Sequence, residues 1–275
     1  VEYFPPKGSS WRASKDTMQN WLLENRIYFG KDGDGAPQLK RYLEEVQQGR
    51  VPNTWWTFQE VGHNDAANKE MQELFSSKSP FDTPKPTTLI SQMINIALNN
   101  EGIILDFFAG SGTTAHAVMQ LNAEDGGNRK CISVQLPEPT DEKSEAYKAG
   151  YATIAEITKE RIRRAGEKIK QDFKDKEGID KLDVGFKAFK LDSSNIKAWD
   201  GNPDNLADQL DAFANNIKDN CTEEDILFEI LLKYGLDLTV AIEEKTISGQ
   251  KVFSVGLGTL FICLSDNITP ALAEG

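Results

Sequence analysis

Residues 103–115 read Ile103-Ile104-Leu105-Asp106-Phe107-Phe108-Ala109-Gly110-Ser111-Gly112-Thr113-Thr114-Ala115. The apolar residues at the start of this stretch predict a buried strand that is covered on both faces. The two glycines allow backbone angles that other residues avoid, and they let a ligand approach the main chain. From Thr113 onward the stretch predicts a helix whose free amide groups point back at the turn. The stretch therefore predicts a strand, a glycine-rich turn and a helix.

A second strand is predicted at Lys130–Leu136, after a loop that contains Gly126 and Gly127. The strand, helix and strand together take about thirty residues, which is the length of a right-handed parallel crossover. This pattern predicts an α/β fold.

The acidic residue at the end of the first strand limits which ligand the turn can hold. Residues 110–115 also fit the dinucleotide pattern G-x-G-x-x-G/A, but Asp106 would repel a pyrophosphate placed against the turn. S-adenosylmethionine carries an ammonium and a sulfonium and no phosphate, so a carboxylate at short range favours it. Gln135 ends the second strand, where cofactor ribose hydroxyls usually lie, and its amide can donate and accept hydrogen bonds. The alternative interpretation is that Asp106 only caps the turn.

Three motifs resemble those of the permuted, β-class amino-methylating DNA methyltransferases. Asp106–Thr114 is similar to motif I of that class, Phe81–Ile90 to motif X and Ile132–Glu138 to motif II, in the order X, I, II. Further stretches are similar to the modification (Mod) subunits of type III restriction-modification systems: Asn128–Lys130, Gly150-Tyr151, Glu160–Arg164, Ser194-Asn195 and Leu231–Leu236.

The resemblance implies an S-adenosylmethionine-dependent methyltransferase with a Rossmann-like fold, present here as a partial sheet with a small C-terminal α+β module. It implies the C-terminal portion of a site-specific DNA adenine-N6 methyltransferase, with double-stranded DNA and a restriction (Res) subunit as partners. The expected domains are residues 1–80, the end of a target-recognition region; residues 81–175, the cofactor-binding part; and residues 176–275, the α+β module. The residues expected to bind the cofactor are Thr83, Lys85, Asp106, Phe107, Ala109, Gly110, Ser111, Gly112, Thr113 and Gln135.

This sequence departs from the class at the catalytic motif. The class carries an Asp/Asn-Pro-Pro-aromatic tetrapeptide before motif X, and no such tetrapeptide occurs in this sequence. The nearest matches, Asn202-Pro203-Asp204 and Phe4-Pro5-Pro6, lack required residues. Without a polar acceptor the target amine is not oriented toward the methyl donor. We therefore assign no catalytic residue, and we expect the chain to be inactive alone.

Charge and aromatic content indicate where DNA would bind. The net charge is −12, but residues 1–100 hold 11 basic and 12 acidic residues and are nearly neutral. Any DNA surface is therefore expected in this first part. The residues expected to contact DNA are Arg26, Arg41, Arg50, Trp55 and Trp56. The alternative is that at least one of the two tryptophans packs into a small core.

Composition narrows the class of protein further. The odd number of cysteines, three, indicates a reducing compartment and no disulfide framework. Only two histidines occur and no metal-binding spacing is present, so no metal site is expected. No apolar run is long enough to span a membrane, and a cytoplasmic protein is expected. An open edge on the motif I strand favours a homodimer. Two other functions stay open, a dinucleotide-dependent oxidoreductase and a non-catalytic module for subunit assembly.

The remaining pattern predicts elements outside the central unit. Strands are expected at Trp21–Phe29 and Val184–Leu191, and two or three more between Leu238 and Leu264. One long helix or two are expected in Glu142–Phe173. Arg161 and its basic neighbours are expected on a solvated face that pairs with glutamates, and the alternative is that they contact phosphates. A capping box at Thr222 predicts a helix to Tyr234.

Overall fold

The computed structural model describes residues 4, 7–8, 10–11, 13–46, 49, 51–197, 216–265 and 268–274. The predicted DNA contact Arg50, the tetrapeptide candidate at 202–204 and two residues of the other candidate, Pro5 and Pro6, lie outside these residues. The chain divides into two compact units, Val1–Leu182 and Asp183–Gly275.

The helices and strands follow the chain in this order. The α-helices are α1 (Lys15–Leu23), α2 (Phe58–Val61), α3 (Asn64–Phe75), α4 (Thr87–Ala97), α5 (Thr113–Asp125), α6 (Glu145–Lys148), α7 (Ile154–Asp172), α8 (Glu223–Lys233) and α9 (Pro270–Glu274). The strands are β1 (Ile27–Tyr28), β2 (Gln38–Leu39), β3 (Glu101–Asp106), β4 (Asn128–Ser133), β5 (Ile242–Ile247), β6 (Gln250–Val255) and β7 (Leu260–Cys263). Short 3-10 helices occupy Leu43–Glu45 and Ile179–Lys181.

The first unit is built around a parallel strand–helix–strand arrangement. Strand β3 pairs in parallel with β4, from Glu101 opposite Asn128 to Asp106 opposite Ser133, and α5 connects them. The predicted strand, glycine turn and helix are therefore confirmed. The second strand, predicted at Lys130–Leu136, is observed at Asn128–Ser133 and ends before Gln135. The mixture of helices with a parallel strand pair makes this unit α/β, as expected.

One face of the β3–β4 sheet carries the core of this unit. Helices α4 and α5 bury Ile94, Val118 and Leu121 against the inward side chains of Ile104 and Cys131. The alternation of side chains along a strand sends every second residue to this face.

The opposite face of the same sheet is apolar and exposed. Ile103 is 64% exposed and Leu105 is 48% exposed, and the neighbouring Ile132, Val134 and Leu136 are exposed as well. The prediction that the β3 strand is covered on both faces is therefore wrong for the described residues. The reason is that α4 and α5 pack on one side only.

Two local predictions are also wrong. Trp21, Leu22 and Leu23, predicted as strand, complete helix α1, which the Ser14 side chain caps by accepting from the Thr17 amide at 3.2 Å. Only Ile27–Tyr28 of that segment is a strand, and it pairs with β2. Val184–Leu191, also predicted as a strand, has no regular secondary structure.

The second unit is a small α+β arrangement. Strands β5, β6 and β7 form an antiparallel sheet in sequence order. Helix α8 starts at the predicted capping box, in which the Thr222 hydroxyl accepts from the Asp225 amide and the Asp225 carboxylate accepts from the Thr222 amide. The core of this unit consists of Leu227, Leu231, Phe253, Val255 and Ile262.

Candidate functional site

The glycine turn between β3 and α5 has the geometry that its sequence predicts. Gly110 has a φ of +52° and Gly112 a φ of +81°, both in the region that favours glycine. Gly112 is the N-cap of α5, so the first turn of this helix starts directly after it. The first amide groups of the helix and the end of β3 thus meet at one corner of the unit.

Asp106 lies at the end of β3 and binds the turn that follows. Its Oδ1 accepts from the Phe108 amide at 3.1 Å, and its Oδ2 accepts from the Thr114 hydroxyl at 2.5 Å. The carboxylate therefore does cap the turn. An ionised carboxylate has about four acceptor positions, so these two bonds leave capacity for a further donor.

Gln135 connects the second strand to the same turn. Its Oε1 accepts from the Gly110 amide at 2.7 Å, and its Nε2 donates to the Leu136 carbonyl at 3.2 Å. The Ala109 amide donates to the Val134 carbonyl at 3.0 Å, which continues the contact between turn and strand. Asp106 and Gln135, predicted from the ends of two strands, are therefore brought to opposite sides of one turn.

The two glycines of the turn face different neighbours. A Cβ on Gly112 would lie 3.1 Å from Thr158 Cγ2 and 3.2 Å from the Thr158 carbonyl oxygen on α7. A Cβ on Gly110 would meet the Phe81 ring at an ordinary 3.5 Å. The Thr158 hydroxyl also donates to the Gly110 carbonyl at 2.6 Å. A glycine is therefore needed at position 112, where the turn packs against α7. The sequence pattern did not predict this contact.

A buried polar cluster lies behind the turn. Arg161 of α7 has no solvent-accessible surface, and its Nη1 donates to the hydroxyls of Ser111 and Thr113 at 2.8 Å each. Its Nη2 lies 3.5 Å from His116 Nδ1 and 3.6 Å from Glu70 Oε1. The prediction that Arg161 belongs to a solvated basic face is therefore wrong. Among its neighbours, Lys159 and Arg163 pair with glutamates of the same helix, as predicted. Arg164 also pairs with a glutamate of this helix, but its guanidinium donates to the Leu74 carbonyl and lies over the Phe75 ring of α3.

Burial sets the protonation states inside this cluster. Burial lowers the pKa of Arg161 to about 10, with the Glu70 carboxylate opposing, so the guanidinium stays charged. Burial and the Arg161 charge lower the pKa of His116 to about 3, so its imidazole is neutral at pH 7. Glu70 Oε1 lies 3.1 Å from His116 Nδ1 and accepts from the Thr87 hydroxyl at 2.7 Å.

The sequence did hold a signal for Arg161. Helix α7 buries Ile157, Thr158, Ile162 and Ala165 on one face. Position 161 lies three residues after Thr158 and four before Ala165, which places it on that same face. An arginine in a buried stripe needs hydrogen-bonding partners inside the protein.

The segment before α4 approaches the turn through its backbone. The Lys85 carbonyl accepts from the Thr113 hydroxyl at 3.3 Å, and Pro86 caps α4. The Lys85 side chain is exposed, as is Thr83. Of the two predicted cofactor residues of this segment, Lys85 thus contacts the turn through its backbone. Within the turn, Phe107 is exposed and Ala109 is buried.

The residues predicted to contact DNA differ in their surroundings. Arg26 pairs with Glu24 at 2.7 Å and with Glu45, and its guanidinium stacks on the Tyr42 ring. Its charge is therefore balanced within the chain. Arg41 and Trp55 are exposed, the latter at 78%, and Trp56 is half-buried.

The described residues include neither a metal-binding cluster nor a membrane-spanning helix. No group of three or more His, Cys, Asp or Glu side chains in these residues is placed to hold a metal ion. No helix in the same part of the chain is long and apolar enough to cross a bilayer.

Comparison with known proteins places these features among DNA methylases. Residues 2–165 match the family described as DNA methylase. The Mod subunit of the type III restriction-modification enzyme StyLTI from Salmonella typhimurium is 40% identical over 181 residues, which are 66% of this chain and 26% of that protein. The Mod subunit of EcoP15I from Escherichia coli is 36% identical over 245 residues, 88% of this chain and 34% of that protein.

A type II enzyme is similar too. The methyltransferase M.KpnI from Klebsiella pneumoniae is 36% identical over 152 residues, 55% of this chain and 35% of that protein. The chain thus spans about a quarter to a third of the length of these curated relatives.

Proposed function

This chain belongs to the DNA methylase family, and we propose that it is the cofactor-binding portion of a site-specific DNA adenine-N6 methyltransferase of a type III restriction-modification system. The observation that carries the proposal is the Asp106 carboxylate at the end of β3, beside a glycine turn that opens a helix. The similarity to Mod subunits supports the type of system.

The charge at this corner fits S-adenosylmethionine. The donor carries two positive groups and one carboxylate, and it supplies an activated methyl group. Asp106 keeps acceptor capacity for a cationic or hydroxyl donor, and Lys85 is exposed beside the turn, where its ammonium can pair with a carboxylate. A pyrophosphate at the same place would meet the Asp106 charge. The dinucleotide oxidoreductase is for this reason not favoured, in agreement with the family match.

The residues that orient the target amine for methyl transfer are expected outside this sequence. No Asp/Asn-Pro-Pro-aromatic tetrapeptide occurs in the 275 residues, so the chain binds the methyl donor without orienting a target amine. In the longer enzyme the adenine would be flipped out of the duplex to reach the donor.

The exposed apolar face of the β3–β4 sheet supports a larger fold around this portion. Exposed apolar side chains on β3, on β4 and in the segment directly after β4 form a surface that isolated proteins rarely leave open. In our proposal a Rossmann-like sheet extends beyond β3 and β4 and further helices cover this face. The region before residue 81 then completes target recognition, and residues 176–275 serve contacts with other subunits, a Res subunit or a second Mod chain.

Binding measurements test this proposal. Titration calorimetry of the 275-residue chain should show binding of S-adenosylmethionine and none of NAD. Asp106→Asn should weaken binding about tenfold, which corresponds to about 1.4 kcal/mol. Glu101→Gln, at the other end of the same strand, should leave the affinity unchanged. Binding of NAD in place of S-adenosylmethionine, or equal affinities for wild type and Asp106→Asn, would overturn the proposal.

A further inference from the structure

The guanidinium of Arg161 joins the glycine turn to three helices of the first unit. It reaches from α7 to the hydroxyls of Ser111 and Thr113 in the turn, and on its other side to His116 of α5 and Glu70 of α3. Glu70 in turn accepts from Thr87, the first residue of α4.

Burial of the Arg161 guanidinium lowers the free energy of unfolding, so stability does not explain why an arginine occupies this position. A cation taken out of water loses several kcal/mol of hydration, and a carboxylate 3.6 Å away repays this only in part. The Arg161 Nε is buried and has no hydrogen-bond partner among the described residues. The charge also lies near the N-terminus of α5, where the helix dipole is itself positive. Well-packed apolar residues would fill the same space at lower cost.

The arginine supplies directional bonds that an apolar side chain lacks. Both Nη1 bonds end on side chains that flank Gly112, the residue with a φ of +81°. The Thr113 hydroxyl, which accepts from Arg161, donates onward to the Lys85 carbonyl. The Arg161 guanidinium thus fixes the positions of Ser111 and Thr113, on either side of Gly112. Through Thr113 it also fixes the contact between the turn and the segment before α4.

We propose that Arg161 is a positioning residue, which holds the turn at Ser111–Thr113 in the conformation that binds the methyl donor. The inference rests on the proposed function. Since Arg161 has no accessible surface, it acts through the turn and does not touch the ligand. Its removal therefore loosens the turn first and weakens ligand binding as a consequence.

Hydrogen–deuterium exchange without ligand tests the positioning directly. Arg161→Met should speed exchange in residues 107–116 by about tenfold, and exchange in residues 117–133 of the same unit much less. Arg161→Lys, which keeps the charge and one bond, should restore part of the protection. The control is Arg163→Met, on the same helix and 54% exposed, which should leave residues 107–116 as in the wild type.

Calorimetry with S-adenosylmethionine then tests the functional consequence. Arg161→Met should raise the dissociation constant about tenfold, with Arg161→Lys between it and wild type. Equal acceleration of exchange in residues 107–116 and 117–133 would show a general stabiliser and overturn the inference, as would unchanged affinity in Arg161→Met. If the wild type binds no S-adenosylmethionine, the proposed function fails, whereas the exchange of residues 107–116 still decides whether Arg161 holds the turn. If Arg161→Met does not fold, Arg161→Lys carries both measurements.

Discussion

The buried histidine of the first unit makes the stability of this protein depend on pH. The pKa of His116 falls from 6.5 to about 3 in the folded chain, because burial and the neighbouring Arg161 and Lys168 charges disfavour the imidazolium. The unfolded chain therefore binds more protons between pH 6.5 and 3, and folding stability is lost as the pH falls through that window.

The magnitude follows from the two pKa values. Between pH 7.5 and pH 5.0 the unfolded imidazole becomes protonated while the folded one does not, which costs about 2 kcal/mol. This is an upper value, because the Glu70 carboxylate 3.1 Å from Nδ1 favours the charged form.

The assay is urea unfolding followed by tryptophan fluorescence at the two pH values. Four of the five tryptophans precede residue 183, so the signal reports mainly on the first unit. His116→Gln keeps a donor for Glu70 and removes the titration, so its loss of stability between the two pH values should be about 2 kcal/mol smaller. His63→Asn keeps a side-chain cap on α3 and retains His116, so its loss of stability between the two pH values should exceed that of His116→Gln.

The comparison between variants isolates the histidine, since the carboxylates that titrate near pH 5 are common to all three proteins. If the wild type and His116→Gln lose the same free energy within about 0.5 kcal/mol, the imidazole does not titrate as its burial implies and the reasoning is wrong.

Three further changes give definite outcomes. Gly112→Ala should cost at least about 1 kcal/mol more than Gly126→Ala in thermal unfolding, because both residues have positive φ but only the first meets α7; equal losses would contradict the contact. Leu105→Lys, on the exposed sheet face, should reduce self-association in sedimentation velocity and change stability by less than about 0.5 kcal/mol; unchanged association would count against that surface. Desolvation raises the pKa of Glu229, but hydrogen bonds from Ser194, Lys233 and Asn195 outweigh it and lower this pKa to about 2. The Asn195 amide donates to Glu229 Oε2 at 2.7 Å, so its exchange protection should fall in Glu229→Gln and, in wild type, as the pH falls from about 4.5 to 2; the same protection in the variant would refute this bond.

Much of the central unit could be predicted from local pattern. Two glycines, an apolar run and a helix start identified the strand, the turn and the helix. The turn also bonds to Asp106 and to Gln135, although Gln135 lies two residues beyond the end of β4. The resemblance to amino-methylating DNA methyltransferases, which rested on the same residues, is confirmed by the family match. A prediction from local pattern is wrong where the same pattern fits both a strand and a helix. Trp21–Leu23 is apolar and aromatic like a strand, yet Ser14 caps it as a helix.

The sequence by itself determined the order of strand, turn, helix and strand in the central unit and the sign of the charge at the end of β3, because both follow from residues that are neighbours in the chain. Only the tertiary structure decided that Gly112 faces Thr158, that Arg161 lies beneath the turn and that one sheet face stays exposed. The first two facts depend on where α7 packs, about 50 residues further along the chain. The third depends on the packing of α4 and α5 on one side of the sheet. A local pattern has no access to contacts across that separation, so a buried arginine and a solvated one look alike until the helix is placed.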